Sequence, residues 1–453
     1  MRSLLLALTL PATLVAQTRT VISRDSLQSI VSTRVAAGRS TGLVVGVLSP
    51  DGQRTVVSAG NERPGKPVDV RTVFEIGSIT KTFTAIVLAD MVQHGEVRLD
   101  QPVSELLPPG TRIPARNGKQ ITLGDLSSQI SGLPRLPDNM KPVDESNPYA
   151  DYTVQQMYDF LARYELPRDP GAQYEYSNLG VGLLGHALAL RAGMSYGALV
   201  RERVLEPLGM THTGIALTPD MQAHMSLGHD GDGGVVPLWD LPTFAGAGAL
   251  RSSMEDMLRY LAANMSPPNT PLGRAIATSH TPRFTVNNAL SLALNWHITN
   301  FRGDTLIWHN GGTAGFRTMI AWNPATHMGA VLLGNSSQDN EDIVRHILAG
   351  APLVAVIVRH EVALGADKLR EYTGTYRLAP TFALDITVDS AGAWLQATGQ
   401  PRFRIYAEAP DKFFLKVVDA QLEFARDSTG RVSTVTLVQN GARNVGARDA
   451  TKP

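Results

Sequence analysis

Residues 75–92 read EIGSITKTFTAIVLADMV, and this stretch constrains how the chain around it folds. Apolar residues after Lys81 occupy nearly the whole circumference of a helix: Phe83, Ile86, Val87, Leu88, Met91 and Val92. A helix that is apolar on every side is buried inside its domain. The sequence therefore predicts a helix over residues 79–92 that other elements must enclose.

Ser78 and Lys81 stand at the first turn of this helix, three positions apart and hence on one face. Burial disfavours the charged form of an amine, and the positive end of the helix dipole favours a serine hydroxyl that loses its proton. Those are the conditions for a serine nucleophile. A helix-capping serine followed by a lysine that reaches solvent is the alternative, and these residues alone leave it open.

Strand patterns flank this helical region on both sides. The segments GLVVGVLS (42–49) and RTVVSAG (54–60) surround the turn PDGQ and predict a hairpin. Three further strand patterns follow late in the chain: TLIWH (305–309), FRTMIAW (316–322) and MGAVLLGN (328–335). Helical patterns cover 25–37 and, between the two groups of strands, segments near 153–163, 180–192 and 254–264. This order predicts an α+β fold in which both ends of a domain form one antiparallel sheet, flanked by helices and an all-helical subdomain.

The texture changes after about residue 365. Short strand patterns recur at roughly ten-residue spacing, separated by turns such as DSAG, EAPD and DSTG. They are LDITV (384–388), AWLQA (393–397), FRIYA (403–407), KFFLKVV (412–418), QLEFA (421–425) and VSTVTLV (432–438). We therefore predict a first domain over residues 18–362 and a small antiparallel barrel, lipocalin-like, or a sandwich over residues 366–453. A structural or oligomerisation role is favoured for the second domain, and assembly into a homo-oligomer stays open.

Residues 1–17 resemble a cleaved signal peptide, with Arg2 before a short apolar run and a cleavage point after Ala16. No other segment has the roughly 18 apolar residues that a membrane span needs. The absence of cysteine excludes disulfides and thiolate chemistry. Lys plus Arg and Asp plus Glu both number 41, so nothing in the charge favours a nucleic-acid partner. We expect a periplasmic or secreted protein that acts on small molecules or short peptides.

Two further motifs give the Ser78–Lys81 pair its context. Tyr176 and Asn178 bracket a serine in YSN just before a predicted helix, and HNGG (309–312) ends a predicted strand. In the order SITK, YSN, HNGG, the chain resembles the class C β-lactamases and their relatives among penicillin-binding proteins, D-amino-acid peptidases and esterases. The phrases ITLGDLSSQISGLP (121–134), LEPLGMTHT (205–213), GAGALRSSMEDMLRYL (246–261) and VLLGNSS (331–337) support the resemblance, which runs from about residue 25 to 350.

The resemblance implies a serine hydrolase that forms an acyl-enzyme on Ser78. Lys81 and Tyr176 would share the proton transfers, and a tyrosine base needs a lowered pKa, which two nearby cations can provide. Asn178 would hydrogen-bond substrate or Lys81. The backbone N–H groups of Ser78 and Gly312 would form the oxyanion hole. His309, Asn310, Gly311 and Gly312 would together line the substrate site.

Two departures from the family pattern bear on substrate. The lactamases carry Lys-Thr-Gly where this chain has His309, Asn310 and Gly311, and a histidine titrates near neutrality where a lysine stays charged. Gln129 stands where relatives often have histidine. We therefore expect amide or ester substrates, above all D-amino-acid peptides, with a true β-lactamase and an idle penicillin- or muropeptide-binding sensor as the alternatives.

Other candidate sites are weaker. Ser40 and Ser195 match G-x-S-x-G, but neither joins a strand to a helix as that motif requires. The loop DGDGG (230–234) lacks the closing glutamate of a calcium loop and reads as a turn that borders the pocket. His186 and His297 read as structural, and without a His-Glu-x-x-His pattern no metal site and no cofactor is expected.

Overall fold

The computed structural model describes residues 22–356, 359, 361–380, 382–400, 402–416, 420–439 and 442–449. The predicted signal peptide, residues 1–17, lies outside the described residues. The remaining sequence folds as a mixed α/β domain followed by a closed barrel, which confirms the predicted fold class.

The helices reproduce each helical segment that the sequence predicts to within two residues. They are α1 (Arg24–Ala36), α2 (Thr80–Gln93), α3 (Leu123–Ser127), α4 (Val154–Arg163), α5 (Asn178–Ala192), α6 (Tyr196–Val200), α7 (Pro219–His224), α8 (Ala245–Gly248), α9 (Met254–Met265), α10 (Pro271–Ser279), α11 (Asp342–Ala349) and α12 (Ala366–Arg370). Single turns of other helical types occupy Gly77–Ile79, Val103–Leu106 and Arg201–Leu205.

The first domain is built on one antiparallel sheet whose strands come from both ends of the domain, as predicted. Its strands are β1 (Gly42–Leu48), β2 (Arg54–Arg63), β3 (Lys66–Pro67), β4 (Val73–Glu75), β5 (Ala115–Arg116), β6 (Lys119–Gln120), β7 (Gly228–His229), β8 (Val235–Val236), β9 (Arg251–Ser253), β10 (Phe284–Asn287), β11 (Leu290–Leu292), β12 (His297–Phe301), β13 (Asp304–Gly312), β14 (Arg317–Asn323) and β15 (Met328–Gly334). The main sheet has the order β10-β11-β12-β13-β14-β15-β1-β2-β3, and β4 to β9 form three small pairs. β1 pairs with β15, which brings residue 43 beside residue 334.

The two faces of the sheet bury separate cores because side chains alternate along each strand. Val44 and Ile320 face the helical subdomain, where α2 and α9 pack. Val45 and Met319 face the other side, which α1 and α11 cover. This alternation decides which residues of β13 can meet Ser78.

Helix α2 is enclosed, as its apolar circumference predicts. Every residue from Thr80 to Met91 is buried, and α10, α8 and α5 pack around the helix. The helix follows directly from the single turn Gly77–Ile79, which carries Ser78. The most buried helix of the domain therefore begins at the candidate nucleophile.

The second domain is a closed barrel, which decides between the two architectures that the sequence left open. Its strands are β16 (Gly374–Ala379), β17 (Phe382–Asp389), β18 (Gly392–Ala397), β19 (Arg402–Ala409), β20 (Lys412–Phe414), β21 (Ala420–Arg426), β22 (Val432–Gln439) and β23 (Ala442–Arg448). The sequence did not predict β16 and β23. Strand β23 is mostly exposed and has no apolar alternation, so pairing with its neighbours rather than its own pattern makes it a strand.

The loop DGDGG is a turn, as predicted, but it borders a cavity between the two domains. The Asp230 carboxylate accepts the backbone N–H groups of Asp232 and Gly234 at 2.9 and 2.8 Å. A cavity of about 780 Å³ has residues 231–233 on one side and Phe414, Leu415 and Lys416 of the barrel on the other. Among the described helices, none is both long enough and apolar enough to cross a membrane.

Candidate active site

Ser78 is held where the helical subdomain meets the end of β13. Gly77, just before it, has φ +49°, and a Cβ there would lie 2.8 Å from the backbone nitrogen of Gly312. Only glycine permits both this conformation and this approach. The chain on either side of Ser78 is thereby pressed against β13, and the Ser78 side chain remains partly exposed.

Lys81 is fully buried and contacts Ser78 directly. Its Nζ donates to Ser78 Oγ at 2.9 Å and to the backbone oxygen of Ala247, in α8, at 2.6 Å. Burial lowers the pKa of Lys81 well below its usual value, and the positive charge of Arg135 lowers it further. A neutral amine so placed can accept the proton of Ser78, which fits the chemistry expected of the pair.

Tyr176 also faces Ser78, but its protonation differs from the expectation. Lys81 Nζ lies 4.9 Å from the centre of the Tyr176 ring. Burial raises the pKa of Tyr176 above its ordinary value, and interactions with the Ser78 hydroxyl and the charge of Arg135 only partly oppose this rise. The expected lowering by two cations is wrong because desolvation of the buried phenol outweighs the effect of Arg135. Tyr176 is therefore a protonated phenol beside the nucleophile.

Hydrogen bonds of two buried side chains, Ser177 and Gln129, fix the YSN segment. Ser177 caps α5, since its Oγ accepts the N–H of Gly180 and donates to the backbone oxygen of Pro134 at 2.6 Å. Gln129 accepts the N–H of Ser177 at 2.6 Å and holds a left-handed φ of +59°. A non-glycine residue in that region carries strain that the surroundings must enforce. Gln129 thus positions Tyr176 and Asn178 on either side of Ser177.

Asn178, the first residue of α5, presents an acceptor to the site. Among the described residues, its buried Oδ1 has no hydrogen-bond partner. Lys81 donates to Ser78 and Ala247 rather than to Asn178, and the Asn178 side chain also interacts with the Tyr149 hydroxyl. A buried amide oxygen without a partner costs free energy until a donor arrives.

His309 points to the side of the sheet on which Lys81 lies, and it is neutral. It is 1% exposed, and its Nδ1 donates to the backbone oxygen of Asn310 at 2.6 Å. Its Nε2 has no partner within the described part of the chain. Burial lowers the pKa of His309 well below its usual value, and His297, whose ring centre is 5.2 Å away, adds to the effect. His309 therefore supplies a hydrogen-bond acceptor rather than a positive charge.

Asn310 faces away from the site because neighbours on a strand point to opposite sides. Its Nδ2 donates to Glu341 at 2.7 Å, just before α11. Gly311 has no room for a side chain, since a Cβ would lie 2.0 Å from the backbone oxygen of Ile76. The side chain of Asn310 supports the strand in place of the predicted contact with substrate, while Gly311 and Gly312 bring the strand against Gly77.

Two more residues belong to this site: Arg135, which the sequence did not single out, and His297, which was expected to be structural. Arg135 places its guanidinium carbon 5.1 Å from the centre of the Tyr176 ring, and its charge reaches Lys81. His297 stacks on Trp308 with ring centres 4.6 Å apart, and burial lowers its pKa to about 4. Arg135 directly follows the quoted phrase ISGLP, whereas His297 lies in β12, whose strand pattern was not recognised.

The weaker candidates take structural roles, as expected. Ser40 is buried and donates to the backbone oxygen of Gly42, and Ser195 caps α6. His186 contacts the Tyr158 hydroxyl at 2.6 Å. In the parts of the chain that the structure describes, no group of three or more His, Cys, Asp or Glu residues could hold a metal ion.

Comparison with protein families agrees with this geometry. Residues 27–353 match the family model described as Beta-lactamase, and residues 359–446 match a model described as a domain of unknown function, DUF3471. The chain is 29% identical over 343 residues to the D-alanyl-D-alanine-carboxypeptidase/endopeptidase AmpH of Escherichia coli K12, covering 70% of this chain and 87% of AmpH. It is 27% identical over 356 residues to a beta-lactamase of Pseudomonas fluorescens, covering 71% and 96%.

Solved structures share the fold of the first domain. A class C beta-lactamase superposes with a TM-score of 0.63 at 23% identity, covering 73% of this chain and 97% of that one. A beta-lactamase/D-alanine carboxypeptidase from Pseudomonas syringae gives the same TM-score and identity, covering 73% of this chain and 99% of that one. At this identity the likeness establishes the fold alone.

Proposed function

This chain belongs to the beta-lactamase family and is a serine hydrolase of that type, and we propose that Ser78 forms an acyl-enzyme with D-amino-acid peptides, amides or esters. The observation that carries the proposal is the contact between a fully buried Lys81 and Ser78, 2.9 Å apart. This contact supports Lys81 as the base because burial and the charge of Arg135 lower the pKa of Lys81. A neutral amine is available as a base at neutral pH, where an exposed lysine would be charged.

In the first step, Ser78 Oγ attacks the carbonyl carbon and its proton passes to Lys81 Nζ. The negative charge on the carbonyl oxygen is stabilised by backbone N–H groups at Ser78 and Gly312. The C–N or C–O bond then breaks, and the leaving group takes a proton. Water attacks the resulting ester, gives up its proton, and releases the acid and Ser78.

Tyr176 serves as the proton donor to the leaving group in this scheme. Its raised pKa keeps the hydroxyl protonated at neutral pH, the hydroxyl interacts with Ser78, and Lys81 Nζ lies 4.9 Å from the centre of the ring. It can pass its own proton to the departing nitrogen or oxygen and recover one from Lys81. The pair thus shares the proton transfers, with Lys81 as the base.

Burial keeps His309 neutral, so it lacks the charge by which a lysine at that position would hold a substrate carboxylate. The carboxypeptidase activity named for AmpH favours peptide substrates. A true β-lactamase remains a second candidate, since the Pseudomonas fluorescens relative is named as one. An idle binding module is disfavoured because Ser78, Lys81 and Tyr176 are all present and in contact.

A substrate panel tests the proposal. The protein and its Ser78→Ala variant are incubated with a p-nitrophenyl ester, a D-alanyl-D-alanine peptide and a chromogenic cephalosporin. We expect turnover of the ester and the peptide, weak or absent turnover of the cephalosporin, and loss of all turnover in Ser78→Ala. Turnover of none of the three, or turnover that survives the substitution, contradicts the assignment of Ser78.

We also propose that the protein is exported with cleavage after Ala16. The support is the pattern of residues 1–17 together with the absence of cysteine. Amino-terminal sequencing of the protein recovered from the periplasm or medium of an expressing bacterium should give Gln17 as the first residue. A mature chain that retains Met1 contradicts this proposal.

A further inference from the structure

Arg135 is an exposed cation beside Tyr176 that has no acidic partner among the residues the structure describes. Its guanidinium lies over the Tyr176 ring at 5.1 Å, and its side chain is exposed. Among the described residues, no Asp or Glu oxygen comes within 4.0 Å of it, whereas many other arginines of the chain form such pairs. An arginine that stacks on an aromatic ring keeps its N–H groups free for a carboxylate.

The backbone of Arg135 is fixed relative to the catalytic residues. Its carbonyl oxygen accepts the N–H groups of Asn178 and Leu179 at 3.0 and 3.3 Å. The preceding carbonyl, of Pro134, accepts the hydroxyl of Ser177 at 2.6 Å. Two adjacent carbonyls are thus tied to the start of α5, so the backbone at Arg135 is fixed beside Tyr176. A fixed backbone reduces the entropy that is lost when the side chain binds a substrate.

Burial weakens the competing positive charge of the other nitrogen groups of the site. It lowers the pKa of Lys81 and of His309 well below their usual values. His297, behind His309, has its pKa lowered to about 4. Among the described residues, Arg135 is thus a cation beside Tyr176 with which an anionic substrate can pair.

We infer that Arg135 binds a carboxylate of the substrate and so selects acidic peptides or esters. Arg135 thereby supplies the positive charge that a lysine would supply at position 309. This inference rests on the proposed function and adds the substrate class. The carboxylate belongs either to the acyl part, which stays on Ser78, or to the leaving group. The chemistry of recognition is the same in both cases: a bidentate pair of N–H···O bonds from the guanidinium.

The charge of Arg135 also lowers the pKa of Lys81. A simple loss of activity on substitution of Arg135 would therefore not identify its role. A residue that only tunes Lys81 affects every substrate equally and moves the pH profile. A residue that binds the carboxylate changes the ratio between anionic and neutral substrates. The experiment therefore measures that ratio.

Three esters distinguish the cases: p-nitrophenyl butyrate as the neutral substrate, mono-p-nitrophenyl succinate with a carboxylate in the acyl part, and 3-carboxyphenyl butyrate with one in the leaving group. For Arg135→Gln we expect kcat/KM for one of the anionic esters, relative to the neutral ester, to fall by about 10- to 100-fold, the range for charge-assisted hydrogen bonds. Arg135→Lys should restore part of the ratio. Arg54→Gln is the control, since Arg54 is an exposed arginine that pairs with Leu48 at the opposite end of the sheet.

Binding in the Ser78→Ala background separates this inference from the proposed function. The affinities of benzylpenicillin and its methyl ester are compared by calorimetry with and without Arg135→Gln. A preference for the free carboxylate that disappears with Arg135→Gln supports the inference even if no ester is turned over. Ratios unchanged by Arg135→Gln in both the kinetic and the binding experiments overturn it, even where Ser78-dependent turnover upholds the proposed function.

Discussion

The candidate site has two sides, a helical wall formed by Ser78, Lys81 and Tyr176 and a strand wall formed by residues 309–312. Each wall contains a buried nitrogen group, and the two groups differ in their contacts. Lys81 is 0% exposed and His309 is 1% exposed, and burial lowers the pKa of both. Lys81 nevertheless makes two hydrogen bonds, one of them to Ser78, whereas Nε2 of His309 has no partner among the described residues. Equal burial thus lowers the pKa in both walls, but of the two nitrogens it is Lys81 that contacts the hydroxyl which we propose as the nucleophile.

The difference follows from what each nitrogen contacts. Lys81 Nζ lies 2.9 Å from Ser78 Oγ, so a neutral amine there is placed to accept the proton of the hydroxyl. His309 is held by the backbone oxygen of Asn310 through Nδ1, which orients the ring and leaves Nε2 free for a substrate donor. Burial alone therefore does not assign a catalytic role. Contact with the reacting oxygen does.

The largest expected effect comes from removing the base. Lys81→Met preserves an unbranched side chain of similar length but cannot accept a proton. We expect kcat/KM for the neutral ester to fall by about a thousandfold or more, within the range for a general base. Steady-state kinetics checks this, with Lys141→Met, at an exposed loop position, as the control. Retention of more than a tenth of the activity would assign the base elsewhere.

The same variant gives a second measurement, in stability. The pKa of Lys81 is lower in the folded chain than the value of about 10.4 in an unfolded chain, so between these two pKa values the unfolded state binds the extra proton. Stability of the wild type then rises with pH in this window, by up to about 1.4 kcal/mol per unit, and is lost as pH falls through it. Lys81→Met lacks this term, so urea unfolding at pH 7 to 10 should show the advantage of the variant shrinking as pH rises. A difference independent of pH would mean that Lys81 is charged in the fold.

The next effect concerns the phenol of the helical wall. Tyr176→Phe retains the ring beside Lys81 and under Arg135 but removes the hydroxyl. We expect turnover to fall by at least about a hundredfold. Because the leaving group needs the proton most when it is poor, the loss should be larger for an amide than for a p-nitrophenyl ester.

Parallel measurements on an anilide and an ester of the same acid check this expectation. Tyr174→Phe serves as the control, since it removes a hydroxyl that contacts His297 at 3.2 Å rather than Ser78. Near-normal rates for both substrates would remove Tyr176 from the mechanism.

The helical wall was far easier to predict from the sequence than the strand wall. Ser78 and Lys81 are three residues apart on a helix whose apolar circumference announces its burial, so local spacing fixes their contact. The rest of the site depends on contacts between distant segments. Arg135 meets Tyr176 only after the loop 129–135 folds against the start of α5.

Two particular expectations failed for physical reasons. Asn310 was placed with the substrate-binding residues, although alternation along β13 sends its side chain to Glu341 on the other face. The pKa of Tyr176 was expected to fall because of nearby cations, but desolvation of the buried phenol raises it instead. Charge and desolvation are settled by packing, which a linear sequence does not show.

The smallest expected effect lies in the strand wall, with His309→Lys. A lysine there would be buried beside Lys81, so its own pKa should be depressed by burial and by mutual repulsion. We expect a shifted pH profile and, on the acid side of that profile, a several-fold gain in kcat/KM for the carboxylate-bearing esters over the neutral ester. His309→Gln, which keeps a neutral acceptor, is the control and should leave the profile of the wild type unchanged, because burial holds the pKa of His309 well below its usual value. If His309→Lys leaves both the profile and the preference unchanged, the strand wall does not contact the substrate anion in either form, and Arg135 alone would account for any selection of acidic substrates.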